Sequence, residues 1–230
     1  MRALLYKVIW LPVLVLVTAG IGGYIKREDQ MLAYMEKKYK EPFTMVGSYG
    51  GQIGKDYVMV RVKSTSRPTE QALVRVIYDK KGNVYQDNYL GFLLKDEIEA
   101  LVQREAEMIY GECKVFYKVP HLVFPPSFGI DMSGEEFLQH PESMVQVFIY
   151  VKEGIEASRN NLEKFRKQLY EKGYRIKGVV SYPSGRELYE RMSPGQISRD
   201  GFAGYTAAEE AVFAMDENGK FRDVKWKGDD

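Results

Sequence analysis

Eighteen consecutive residues near the start of the chain, Val8 to Ile25 (VIWLPVLVLVTAGIGGYI), carry no charged side chain. A helix rising about 1.5 Å per residue would extend such a run over about 27 Å, close to the hydrocarbon thickness of a bilayer. Trp10 and Tyr24 lie near its two ends, where amphipathic rings favour the headgroup level, and Lys7 and Lys26-Arg27 bracket it. Pro12 falls near the first turn of such a helix, where it is tolerated. The run predicts an N-terminal transmembrane helix, with residues 1–27 as a membrane anchor and the lipid bilayer as partner through residues 8–25. Two alternatives stay open. Val17-Thr18-Ala19 is a small-residue cleavage site of the kind that ends a signal peptide, and the run could also be a buried core helix. Basic residues follow the run at Lys26, Arg27, Lys37, Lys38 and Lys40, which by counting favours an inside location, but long domains translocate largely regardless of charge. The expectation is a single-pass protein of the cell membrane with its soluble portion outside the cytoplasm. Ala19 and Gly23 have the spacing of a helix-packing pair.

Charge limits what the rest can bind. Four of the 33 basic residues lie in residues 1–27, which hold no acid, so 29 basic residues face 32 acidic ones in the remainder. A slightly acidic soluble portion gives no electrostatic reason to expect nucleic-acid binding. One cysteine, Cys113, rules out an intramolecular disulfide and reads as a small core residue.

Periodicity after the anchor indicates an α+β fold. Met31, Tyr34, Met35 and Tyr39 share a helical face, predicting a helix over 29–40 that Pro42 stops. Strand-like runs follow at Phe43 to Ser48, Tyr57 to Val62 and Leu73 to Tyr78, the last two with strict alternation. Asp79-Lys80-Lys81-Gly82-Asn83 reads as a hairpin turn in which glycine supplies a positive φ, and Val84 and Tyr85 begin the returning strand. A second helix is expected over Lys95 to Tyr110, with Ile98, Leu101, Val102, Met108 and Ile109 as its apolar face and Gly111 as its cap. These elements predict an antiparallel meander covered on one face by the helices 29–40 and 95–110.

The second half reads as a strand from Glu112 to Val119, a proline-containing loop over 120–133, a strand from Met144 to Val151, a helix from Ala157 to Lys172 and a strand from Arg175 to Tyr182. Strand, helix and strand at this spacing indicate one β-α-β unit. Residues 193–205 read as a surface loop. Thr206 to Glu209 match a helix capping box, so a short helical turn and then a hairpin to Trp226 are expected. The expected fold class is α+β: an N-terminal transmembrane helix, an antiparallel meander with covering helices, and a second α+β half containing one β-α-β unit. The expected domains are the anchor 1–27, a helix-meander-helix module 28–111 and a second α+β module 112–230; the alternative joins the last two in one continuous domain. One internal echo pairs Val76 to Val84 with Phe213 to Phe221; it reads either as convergent Asp-x-x-Gly hairpins or as the record of two related modules.

No catalytic, cofactor-binding or metal-ligating residues are assigned. His121 and His140 lack a His or Cys at metal-ligand spacing. A nucleophile pair of Cys113 and His121 has no support in sequence. Gly47-Ser48-Tyr49-Gly50-Gly51 lacks the G-x-S-x-G spacing of a nucleophile elbow. Asp216 to Gly219 and Gln196 to Ala207 depart from the calcium-loop pattern. Glu135-Glu136 and Glu209-Glu210 are neighbours that would not face each other on a helix. The 17 tyrosines are scattered, which suits half-buried strands and leaves an interaction surface open.

The basic tail, the apolar run, Met31 to Tyr39 and the meander ending Tyr78-Asp79-Lys80-Lys81-Gly82-Asn83-Val84 resemble membrane-anchored proteins of Gram-positive bacteria that have no assigned function. The helix and meander also resemble PepSY-type extracytoplasmic modules. The likeness covers roughly residues 1–110 and implies no functional residues. The expected function is therefore a membrane-tethered, extracytoplasmic, non-enzymatic interaction or accessory module, with an envelope protein complex as partner. The alternatives are an envelope-acting hydrolase whose carboxylates sequence does not identify, and a cleaved, secreted binding protein.

Overall fold

The computed structural model describes residues 27–48, 56–67, 74–143, 145–152, 158–183, 185–193, 207–215 and 221–226. Among the described residues no helix is long and apolar enough to cross a membrane. The expected fold class is corrected accordingly: among the described residues the fold is α+β with two sheets, and the expected transmembrane helix, with the membrane and signal-anchor character attached to it, is not supported. The run 8–25 that prompted that expectation lies outside the described residues, as do residues 194–206 and 216–220. The chain forms two compact units, residues 1–88 with 125–130, and residues 89–124 with 131–230.

In the first unit, helix α1 (27–39) precedes a four-stranded sheet of β1 (Phe43–Ser48), β2 (Tyr57–Ser64), β3 (Val74–Asp79) and β4 (Val84–Asp87), paired antiparallel in chain order. Met31, Met35 and Tyr39 recur every four residues and are buried, as one apolar stripe of a helix should be. Lys40, at φ 56, ends α1 in the left-handed region before Pro42. On the sheet, burial alternates along β2 and β3, and register pairs Val58 with Tyr78, Val60 with Val76 and Val62 with Val74 on the buried face. α1 lies on that face: Tyr34 stacks on Tyr85 at 5.2 Å, and the Arg27 guanidinium sits 4.1 Å from the centre of the Tyr78 ring.

The β3–β4 turn corrects one expectation. Asn83, at φ 53, takes the positive φ rather than Gly82, and the Tyr78 hydroxyl donates to its side-chain oxygen at 2.6 Å. Asparagine tolerates this conformation because its side chain bonds locally. Gly82 makes room instead: a Cβ there would lie 2.9 Å from an Asp79 carboxylate oxygen. That carboxylate accepts the Lys81 and Gly82 amides at 3.0 and 3.2 Å.

The second unit runs α2 (Tyr89–Leu93), α3 (Lys95–Tyr110), β5 (Cys113–Lys118), α4 (Gly134–Gln139), β6 (Val145–Val151), α5 (Arg159–Glu171), β7 (Ile176–Pro183), α6 (Arg186–Arg191), β8 (Ala207–Met215) and β9 (Phe221–Trp226). Its five strands lie in order β5-β6-β7-β8-β9. β6 and β7 are parallel and joined through α5, while the other pairs are antiparallel. α3 therefore belongs to this unit instead of covering the meander; Ile98 and Val102 are fully buried in it and Leu101 only partly. Phe165 of α5 meets Tyr110 of α3 at 5.6 Å and Phe213 of β8 edge-on at 5.8 Å, which places both helices on one face. Gly178 of β7 sits beneath this contact. A Cβ there would lie 2.5 Å from the Val147 carbonyl oxygen and 2.9 Å from the Phe213 ring, so no other residue fits without movement. α6 covers the opposite face, where Tyr189 and Met192 pack on Phe148 and Tyr150.

Residues 207–209, expected to finish a helical turn, are in β8, where Ala207 pairs with Pro183 and Glu209 with Tyr182. Pairing along β7 overrides a local capping signal that offers one turn of helix.

Candidate functional site

Among the described residues, strong polar side chains cluster at four places, and in each the partners explain the residue type. The first is Asp87 of β4, whose carboxylate is fully buried. Lys38 and Tyr34 donate to one oxygen at 2.8 and 2.9 Å, and Tyr39 donates to the other at 2.6 Å. All three donors stand on the last turns of α1, so this knot ties the helix to the edge of the meander. Burial, and then the charge of Asp87, raise the Tyr34 hydroxyl well above the ordinary tyrosine range, keeping it a donor.

The second is Glu105 of α3, also fully buried. It accepts from Gln168 at 2.5 Å and meets Lys172 at 3.1 Å and Arg104 at 3.4 Å. It clamps α3 to the end of α5.

The third covers the outer edge of β5. An edge strand leaves alternate amides and carbonyls without a strand partner. Here Gln103 of α3 donates to the Cys113 carbonyl at 2.7 Å and accepts the Val115 amide at 2.9 Å. Glu99, one turn earlier, accepts the Tyr117 amide at 2.8 Å and is held by Lys95. The Cys113 thiol lies against Gln103 at 3.6 Å. Burial, and then the nearby Glu107 charge, push that thiol up to about 12. A thiol held protonated is a poor nucleophile, and the exposed His121 is not its partner.

The fourth is at α4. Ser133 and Glu136 form a reciprocal capping box, and this hydrogen bonding lowers the Glu136 carboxyl below its usual range. Glu97 accepts the Gly134 amide at 2.8 Å. Glu135 instead accepts from the Tyr174 hydroxyl at 3.4 Å, so the adjacent acids Glu135 and Glu136 serve different partners. His140 follows the helix, its Nδ1 accepting the Glu142 amide at 3.2 Å. Among the described residues no group of three His, Cys, Asp or Glu side chains has the arrangement to hold a metal ion.

The outer face of the meander differs from all four. Register places Arg61 of β2 directly opposite Arg75 of β3, and Met59 directly opposite Ile77. Lys63 follows Arg61 two residues along the same strand and opposes Thr44. On the other side of Arg61 stands Gly47, beside a bulge at the exposed Val46. These side chains are partly exposed to solvent. Sequence shows an arginine at an alternating position in each strand, but register alone brings the two together.

No family model matches the chain, and no curated protein matches it. A crystal structure of a DUF5037 family protein from Ruminococcus gnavus ATCC 29149 is similar over 84% of this chain and 93% of that one, at a TM-score of 0.42 and 11% identity. A likeness at that level carries no functional inference.

Proposed function

We propose that the folded portion is a non-enzymatic interaction module, with the outer face of the meander as its binding surface. The observation that supports it is the apolar pair Met59 and Ile77, directly opposed on a partly exposed face. The strong acids and the thiol have structural work instead: Asp87, Glu105, Glu99 and Glu97 join elements, and Cys113 is held protonated. A hydrolytic carboxylate pair needs freedom to exchange protons with a substrate, which carboxylates committed to such bonds do not have.

The test is retention on the protein's own binding partners. The full chain, immobilised, is exposed to an extract of its source, alongside a Met59→Glu, Ile77→Glu variant and a control changed at exposed Lys37 on α1. Material held by the parent and the control should be lost by the face variant. Equal retention by all three, or hydrolysis of extract polymers abolished by Asp87→Asn, would overturn the reading.

A further inference from the structure

We propose that helix α6 is a displaceable cover, latched to the second sheet by Lys114 of β5, and that its release uncovers an aromatic floor while the sheet beneath stays folded.

A helix of six residues does not persist on its own, because nucleating the first turn costs more than so few hydrogen bonds return. No side chain caps its start at Gly185. Its ion pairs, Arg186 with Glu190 at 2.8 Å and Arg191 with Glu187 at 2.5 Å, join residues of the helix to each other. α6 therefore stands where the sheet supports it.

The support is of two kinds. Tyr189 and Met192, three residues apart and so on one side of the helix, are buried on Phe148 and Tyr150, with Phe116 and Val179 at the margin. The Lys114 ammonium reaches across from β5 and donates to the carbonyls of Tyr189 at 2.8 Å, Glu190 at 3.2 Å and Met192 at 3.5 Å. It also lies 4.8 Å from the centre of the Tyr189 ring. The last carbonyls of a helix have no partner within it and favour a cation. One ammonium thus finishes the helix and fastens it, so α6 folds and docks in a single step.

The floor does not need the cover. Phe148 and Tyr150 stand on β6, which pairs with β5 and β7 along its length. Helices α3 and α5 pack on the other face of this sheet. Within the floor itself, Phe116 meets Tyr150 edge-on at 5.9 Å. None of these contacts passes through α6. Its release is therefore a local opening, of the kind that costs less than unfolding the whole unit. The open state presents Phe116, Phe148 and Tyr150 as one apolar surface that the closed state hides.

The test is native-state hydrogen exchange on the full chain, followed by NMR at Tyr189 and Met192 in α6 and at Val147 and Ile149 in β6. The α6 amides should exchange about 100-fold faster or more than those of β6, and low urea should leave their rates unchanged because little surface opens. Lys114→Met should speed the α6 amides about ten-fold and leave β6 as it was. Lys114→Arg should restore most of the protection, since a guanidinium also donates to carbonyls. In a Cys113→Ser, Tyr150→Cys chain, a maleimide should label the introduced thiol under native conditions, and about ten-fold faster when Lys114→Met is added. Exchange of α6 in step with β6 in the parent chain would overturn the proposal. So would Lys114→Met speeding both elements equally or neither, or a thiol at 150 that reacts only when the whole chain unfolds.

Discussion

Strands β2 and β6 lie in different sheets and obey different rules. β2 alternates along its whole length, one residue buried and the next partly exposed. β6 is buried at six of seven positions. The cause is what lies on each face. The meander has α1 on one side, and its other side carries charged groups. The second sheet has α3 and α5 on one face and α6 on the other, so Phe148 and Ile149, adjacent in sequence and opposite in direction, are both enclosed. Parallel pairing between β6 and β7 requires a crossover helix, and crossover helices cover faces. The comparison teaches that a partly exposed face remains where the topology is local, and that the crossover topology consumes its own faces.

The largest expected effect would break this comparison outright. Aspartate at Phe148 or at Ile149 should each cost several kcal/mol, because either face buries the charge. In the meander, Val60→Asp should cost as much, whereas Met59→Asp should cost no more than about 1 kcal/mol. Urea unfolding midpoints read the four variants. Equal losses at Met59 and Val60 would show that the outer face of the meander is also core.

Next in size are the two buried carboxylates. Asp87→Ala strands Lys38, only 13% exposed, among tyrosine hydroxyls, and should cost about 3–5 kcal/mol. Glu105→Ala releases Lys172 and Arg104, whose side chains are 36% and 60% exposed and reach water, so its cost should be smaller, about 1–3 kcal/mol. A larger loss at Glu105 would mean that the helices of the second unit depend on that charge more than the meander depends on Asp87.

Smaller still is the seal on β5. Gln103→Ala and Glu99→Ala should each cost about 1–2 kcal/mol. They should speed amide exchange at Val115 and Tyr117 respectively, leaving β6 amides unchanged. Unchanged exchange at both residues would mean that the α3 side chains do not protect the edge.

The smallest effect is chemical. With its thiol pushed up to about 12, Cys113 should react with an aromatic disulfide reagent at pH 8 only as fast as the chain opens. The folded chain keeps a proton that the unfolded chain loses above about pH 8.5, so this group's contribution to stability falls as pH rises from there towards 12. Rapid labelling of the native protein would place the thiol at a reactive surface.

Elements with a strong single period were legible in sequence, and those made by distant partners were not. Phe43–Ser48 and Lys95–Tyr110 have the predicted bounds, and the alternation over Tyr57 to Val62 specifies which valines face α1. The parallel pairing of β6 and β7 around α5 also follows the spacing of strand, helix and strand. α4 carries a serine and a glutamate at capping-box spacing, but six residues give too little periodicity to distinguish a helix from a proline-rich loop. α6 has the same length and α2 is one residue shorter. Which sheet α3 serves depends on Gln103 and Glu99 finding β5, a choice its apolar stripe does not encode. The outer face of the meander has the same limit: Met59 and Ile77 are visible in sequence as two ordinary strand residues, and become a pair only through register.

The α3 seal on β5 also has a consequence in time. Glu99, Gln103, Cys113, Val115 and Tyr117 all leave the ribosome before Val145, where β6 begins. Domains fold as units during synthesis, and exposed strand edges are where nascent chains go astray. Helix α3 and strand β5 contain every group the seal needs within 19 residues of chain. One side of β5 can therefore be closed while its proper neighbour is still being made. The nascent strand then has a single edge left to offer, and the next strand to be synthesised is the one that fits it.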